Sequence, residues 1–173
     1  MNSISTAGMS TKFWGPNAWN FLFSCILGTY PIKIDNKNKD HKLIKNEFKH
    51  LFNSLGVIMP CIFCRESYKI FIKEQPIEPS LIGRVELFHW LYKLKDKVNK
   101  KLIKQEKDCF KEECKKLNLK LKNKTINKTQ YNCLYQKIEK DIFKTKPTPK
   151  FEDVLNYYES YRAKCNNKLK TCA

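Results

Sequence analysis

Apolar residues in this chain recur every third or fourth position in one segment after another, which is the period of a helix face and not of a strand. Ala18, Trp19, Leu22, Phe23, Ile26, Leu27 and Tyr30 follow a Trp14-Gly15-Pro16 opening. Pro16 suits a first helical turn, and Tyr30-Pro31 closes the segment. Past the polar stretch Asp35 to Asp40, Ile44, Phe48, Leu51, Phe52 and Leu55 predict a second helix ending near Gly56. Pro60 introduces a third, whose first turn carries two thiols in Cys61-Ile62-Phe63-Cys64-Arg65 before Tyr68, Ile70, Phe71 and Ile72. Leu87, Leu91, Leu94, Val98 and Leu102 form the longest stripe and predict a core-facing helix. A last helix, with Thr148 as cap and Pro149 in its first turn, carries Phe151, Val154, Leu155, Tyr158 and Tyr161. With no alternating pattern and no fixed-period repeat, the predicted class is all-α.

The length of 173 residues suits one compact domain with an insertion. The insertion is Ile103 to Lys146, Lys-rich and thinly apolar (Phe110, Leu117, Tyr131, Leu134, Ile138, Ile142), which reads as a helical hairpin outside the main core. The organisation expected is a flexible N-terminus over 1–11, a domain over 12–165 containing the 103–146 insertion, and a tail over 166–173.

The formal charge is +17, enough to attract polyanions. Arg occurs only at positions 65, 84 and 162, so the bidentate forks favoured in phosphate and base recognition are scarce. Solvated Lys faces are the simpler reading, and nucleic acid is not the expected partner. Met1 to Lys12 lacks an apolar core of a secretory signal, and Phe21 to Tyr30 is too short to span a bilayer. An intracellular protein without membrane attachment is therefore expected. Eight cysteines are many for that setting, where thiols stay reduced unless they bind metal or do redox work.

Two cysteines with two residues between them, at a helix start, place their sulfurs within bonding reach, where the helix dipole favours a thiolate. Arg65 adds positive charge. The same spacing is half of a tetrahedral zinc site. Cys109, Cys114, Cys133, Cys165 and Cys172 do not repeat it and have no His beside them, so no metal ligand set is assigned. A zinc-stabilised basic module binding nucleic acid stays as the alternative. A thioredoxin-like fold needs βαβ units, which are missing.

These motifs together resemble the Erv/ALR family of FAD-linked sulfhydryl oxidases, especially the forms of large DNA viruses. Trp14-Gly15-Pro16 with Trp19 and Tyr30-Pro31 is similar to the family's opening helix, and Pro60-Cys61-Ile62-Phe63-Cys64-Arg65 to its redox dithiol. Trp90-Leu91 running into Val98-Asn99-Lys100-Lys101-Leu102 and Lys104 resembles its flavin-binding helix, and Lys146-Pro147 the start of its last one. Residues 12–104 and 146 to about 165 are covered. Phe23 stands where the family usually has His, and Lys95-Asp96 where it usually has His-Asn.

The resemblance implies a four-helix, FAD-binding bundle with an additional C-terminal helix. It implies Cys64 as the flavin-proximal thiol and Cys61 as the one exchanging with substrate. FAD contacts fall to Trp14, Gly15, Trp19, Phe23, Lys95, Val98, Asn99, Lys101, Leu102 and Lys104. Partners implied are a protein dithiol such as a thioredoxin-like carrier, molecular oxygen and a second copy of the chain; a viral form would work in the host cytoplasm or virion. Relatives often relay electrons through a second cysteine pair. Cys109 with Cys114 in the insertion is preferred for that shuttle, ahead of Cys165 with Cys172. Independently of the family, Lys95, Asn99 and Leu102 share a helical face, offering a cation, an amide and an apolar contact. Cys25 and His89 read as buried residues without a redox or acid-base role, and His41 and His50 receive none.

Overall fold

The computed structural model describes residues 8–163, 165–166 and 171–172. Six helices follow one another: α1 (Thr11–Thr29), α2 (Lys39–Ile58), α3 (Ile62–Glu74), α4 (Arg84–Lys122), α5 (Lys128–Ile142) and α6 (Phe151–Glu159). A 3-10 turn, Glu78–Ser80, precedes α4, and Cys165–Asn166 pairs antiparallel with Thr171–Cys172. Among the described residues the fold is all-α apart from that two-residue ladder. It divides into two compact units, residues 1–94 with 149–173, and Lys95–Thr148, so α4 contributes to both.

In the first unit α1 contributes Leu22, Phe23, Ile26, Leu27 and Tyr30 to the core, α2 Phe48 and Phe52, α3 Tyr68, and α4 Leu87, Phe88, Trp90, Leu91 and Leu94. Two phenols enter this apolar interior only because their hydroxyls are satisfied: Tyr30 donates to the Leu81 carbonyl at 3.0 Å and Tyr68 to that of Phe52 at 2.7 Å. Burial pushes the Tyr30 pKa up to about 12 and raises that of Tyr68 further, so both stay neutral donors. Gly56 does not end α2 but lies buried inside it, where a Cβ would reach Tyr68 Cδ1 at 3.4 Å. A methyl added there would make van der Waals contact with Tyr68 and the Lys69 stem, so α3 packs directly on this turn of α2. At the far end of α3, Gln75 and Trp90 are joined twice: the Trp90 indole donates to the Gln75 carbonyl at 2.9 Å, and the Gln75 amide to the Trp90 carbonyl at 2.8 Å.

Several boundaries differ from expectation. The α1 helix begins at Thr11, so Pro16 is internal to it and one helical hydrogen bond is forgone. Gly8 and Met9 make ordered backbone pairings instead of belonging to a flexible segment 1–11. Thr148 does not cap α6: the cap position is Lys150, and the Thr148 hydroxyl instead accepts from Asn99 Nδ2 at 2.9 Å. The core-facing stripe stops at Leu94, with Val98 half-buried and Leu102 41% exposed.

The second unit is a helical hairpin, but its first helix is the uninterrupted continuation of α4 and does not start at 103. Phe110 packs on Tyr135 and Phe143 at centroid distances of 5.4 and 5.0 Å, and Leu117 of the same unit is buried. Lys124, at φ 55°, turns the chain, and Asn127 and Gln130 cap α5 reciprocally. The returning segment is held by Glu106, whose carboxylate accepts the Thr145 backbone N–H at 3.0 Å and hydroxyl at 2.6 Å.

Candidate redox site

Cys61 and Cys64 lie where α2 hands over to α3. Cys61 is the N-cap of α3 in extended conformation, and its sulfur accepts the backbone N–H of Cys64 at 3.3 Å. A thiol thus takes the place of the oxygen that Ser or Asp usually supplies at this position. Cys64 sits in the first turn with its side chain half-buried, while Cys61 is 8% exposed. The Arg65 guanidinium does not point its charge into solvent: it donates to the Met59 carbonyl at 2.5 Å and braces the turn before the dithiol. The two sulfurs are not joined in a disulfide.

A third strand of chain reaches this turn. Gly8 forms an isolated antiparallel bridge with Cys61, the Met9 N–H donates to the Pro60 carbonyl at 2.6 Å, and the Trp14 indole N–H donates to the Met9 carbonyl at 3.3 Å. Sequence reasoning missed Gly8 and Met9, because an isolated backbone pair leaves no periodicity.

Of the residues assigned to flavin, Trp14, Gly15 and Trp19 are half-buried in the first unit. A Cβ on Gly15 would meet nothing within 4 Å, so no protein neighbour demands a glycine there. Phe23 is wholly buried in the aromatic core, 4.7 Å from Phe88 and 4.9 Å from Tyr158, whose hydroxyl is tied to Asn20 at 2.8 Å. In the second unit Lys95, Val98, Asn99 and Lys101 are half-buried and Leu102 and Lys104 exposed. Burial lowers the pKa of the Lys95 ammonium, and the Asn99 amide is oriented by its bond to Thr148.

The remaining cysteines divide. Cys25 is half-buried and its thiol pKa is raised by burial, as suits an inert thiol. Cys109 and Cys114, expected as a shuttle disulfide, both lie inside the continuous α4 helix. Five residues along a helix rise about 7.5 Å and turn about 140°, so their side chains diverge and no disulfide closes without unwinding it. Both are free thiols, as is Cys133, and burial with Glu113 and Glu139 nearby raises the pKa of Cys114. The tail register sets Cys165 opposite Cys172; their side chains lie outside the described residues. Among the described residues, no cluster of three or more His, Cys, Asp or Glu is arranged to hold a metal ion, and no helix is long and apolar enough to cross a membrane. His41 accepts the Asp35 backbone N–H at 3.0 Å, and His89 packs 4.6 Å from Phe151 with its pKa lowered by burial and by Lys93.

The profile of the Erv1 / Alr family matches residues 16–118, more than half of the chain and the span that contains the dithiol turn. The chain belongs to the Erv1 / Alr family. A relative within it, the mitochondrial FAD-linked sulfhydryl oxidase ERV1 of Saccharomyces cerevisiae, is 32% identical over 95 residues. That match takes in 55% of this chain and 46% of the yeast protein, so the chain spans about half the length of this curated relative. The crystal structure of the yeast Erv1 core is 29% identical and overlays with a TM-score of 0.46, covering 54% of this chain and 72% of that one. The Erv1 / Alr match ends at 118, so the whole of α5 lies beyond it.

Proposed function

We propose that this protein is an FAD-linked sulfhydryl oxidase that converts protein dithiols to disulfides and passes the electrons to oxygen. The observation that carries the reading is the Cys61/Cys64 turn, with one thiol capping α3 through the amide of the other, inside the span matched to the Erv1 / Alr family. With the pair as a disulfide, a substrate thiolate attacks Cys61 Sγ. The Cys61–Cys64 bond breaks, and Cys64 leaves as a thiolate. The second substrate thiol then displaces Cys61, so the substrate loses two electrons and two protons and the enzyme dithiol gains the electron pair. The bound FAD supplies two-electron oxidation of that dithiol and its own reoxidation by oxygen, giving hydrogen peroxide overall.

The residues present suit such a group. Within the first unit the backbone at Gly15 stands beside open space and Trp14 and Trp19 are half-buried; within the second, taken by itself, Lys95 is a half-buried ammonium and Asn99 a fixed amide. Planar rings need apolar walls with a few placed polar groups, and the phosphates of FAD need cations. A homodimer fits the exposed apolar residues Phe13 and Phe21 on α1 and Leu43, Val57 and Ile58 on α2.

The test is optical. Purified protein should be yellow with FAD bound, bleach with dithiothreitol under nitrogen and consume oxygen when air returns. A colourless protein that takes up no oxygen with any dithiol would refute the reading.

A further inference from the structure

Exchange requires a substrate sulfur to approach Cys61, yet Cys61 is the buried member of the pair and the outer turn residue Phe63 is 70% exposed. The segment seated along it is Gly8–Met9. Its contact is made by backbone: an antiparallel bridge from Gly8 to Cys61 and a 2.6 Å hydrogen bond from Met9 N–H to the Pro60 carbonyl. This approach demands a glycine twice over. Gly8 has φ +78°, and a Cβ there would lie 1.9 Å from the Pro60 oxygen and 3.2 Å from Cys61 Cα. Residues 1–13 contain no cysteine, so the segment can cover the thiol but cannot exchange with it.

Pro60–Cys61 is thus a short strand edge, in extended conformation at Cys61, that already accepts an extended partner. Met9, Ile58 and Phe63 beside it in sequence or pairing are all more than half exposed, giving the edge an apolar rim. Resting on the oxidase reading, we propose that this edge is where an extended segment of the dithiol protein docks, and that Gly8–Met9 holds the edge until substrate displaces it. Docking there presents the substrate thiol to Cys61 Sγ, and the backbone hydrogen bond to Pro60 passes from Met9 to the substrate chain. The chemistry recognised is an unfolded or loop-borne dithiol with a small residue facing Cys61. A side chain at that place would meet the same Pro60 oxygen that excludes one from Gly8.

The test uses the full chain with Gly8→Val, which removes the steric fit, and separately Met9→Pro, which removes the N–H donor; Met9→Leu is the control. In the reduced protein, alkylation of Cys61, followed by peptide mass mapping, should accelerate about tenfold in Gly8→Val and Met9→Pro, the scale that loss of one or two net hydrogen bonds supports. Cys64 and the Met9→Leu protein should be unchanged. In turnover, the KM for a reduced, unfolded protein substrate should fall with kcat unchanged, because a resident competitor has been removed. Unaltered Cys61 alkylation in both variants would overturn the cover. Faster alkylation with no fall in that KM would overturn the edge as the docking site. Alkylation needs neither flavin nor oxygen, so failure of the oxidase reading shows itself separately.

Discussion

The two ends of α4 share a backbone conformation and little else. From Leu87 to Leu94 the helix is held by burial, with Leu87, Leu91 and Leu94 at most 1% exposed. From Lys95 onward it carries a Lys-rich surface, with Asp108–Lys111, Glu112–Lys115 and Glu113–Lys116 paired three residues apart and a modest apolar seam against α5. One stretch is helical because the core demands it, the other because its residues favour a helix and pair along it. The lesson for chemistry is that a cysteine takes its role from the support around it: at a helix cap two thiols can meet, and in a helix interior they cannot.

The largest effect expected from that contrast separates the cysteine pairs. Cys61→Ser or Cys64→Ser should lower thiol-dependent oxygen consumption roughly a hundredfold or more, since neither sulfur completes a disulfide alone. Far-ultraviolet circular dichroism should be unchanged. Cys109→Ser with Cys114→Ser should leave oxidation of both dithiothreitol and a protein substrate within about twofold, and mass mapping under non-reducing conditions should find no bond between them. A selective loss with the protein substrate would restore the shuttle role to the insertion.

Next in size is the cost of truncating the two ends of one stripe. Leu91→Ala should destabilise the first unit by about 2–5 kcal/mol, a core cavity cost. Leu102→Ala, at a position 41% exposed, should stay within about 0.5 kcal/mol. Denaturant melts of the two variants measure the difference directly.

The smallest effect is on pH dependence. Burial and Lys93 lower the pKa of His89 while Glu152 opposes them, so the neutral ring is favoured in the folded state. Its contribution is present above the unfolded value near 6.5 and is lost as pH falls through the lower folded value. Wild type should therefore lose more thermal stability between pH 7 and pH 5 than His89→Phe does.

How much of this was legible follows from the same division. Leu87, Leu91, Leu94 and the α1 and α2 faces stood out because burial writes a period into the sequence, and the dithiol turn stood out through its Pro60 and its spacing. The continuity of α4 past residue 103 was hidden, because charged residues keep a helix without an apolar stripe; the pairing of acids with Lys three positions on was the available signal. Thr148 suggests a cap because a hydroxyl residue directly before Pro fits that role locally, whereas its partner, Asn99, lies far away in the chain. The Gly8–Cys61 pairing belongs to the same class of long-range contact.

On the proposed oxidase reading, the reciprocal bonds between Gln75 and Trp90 bear on electron transfer. With the Tyr68 hydroxyl tied to Phe52 as well, α3 cannot slide or rotate freely at its middle or its far end. Opening and closing the dithiol must then be absorbed between Pro60 and the first turn. On that reading, a change of oxidation state at the dithiol leaves the remainder of α3 in place, and the next exchange starts from the same geometry.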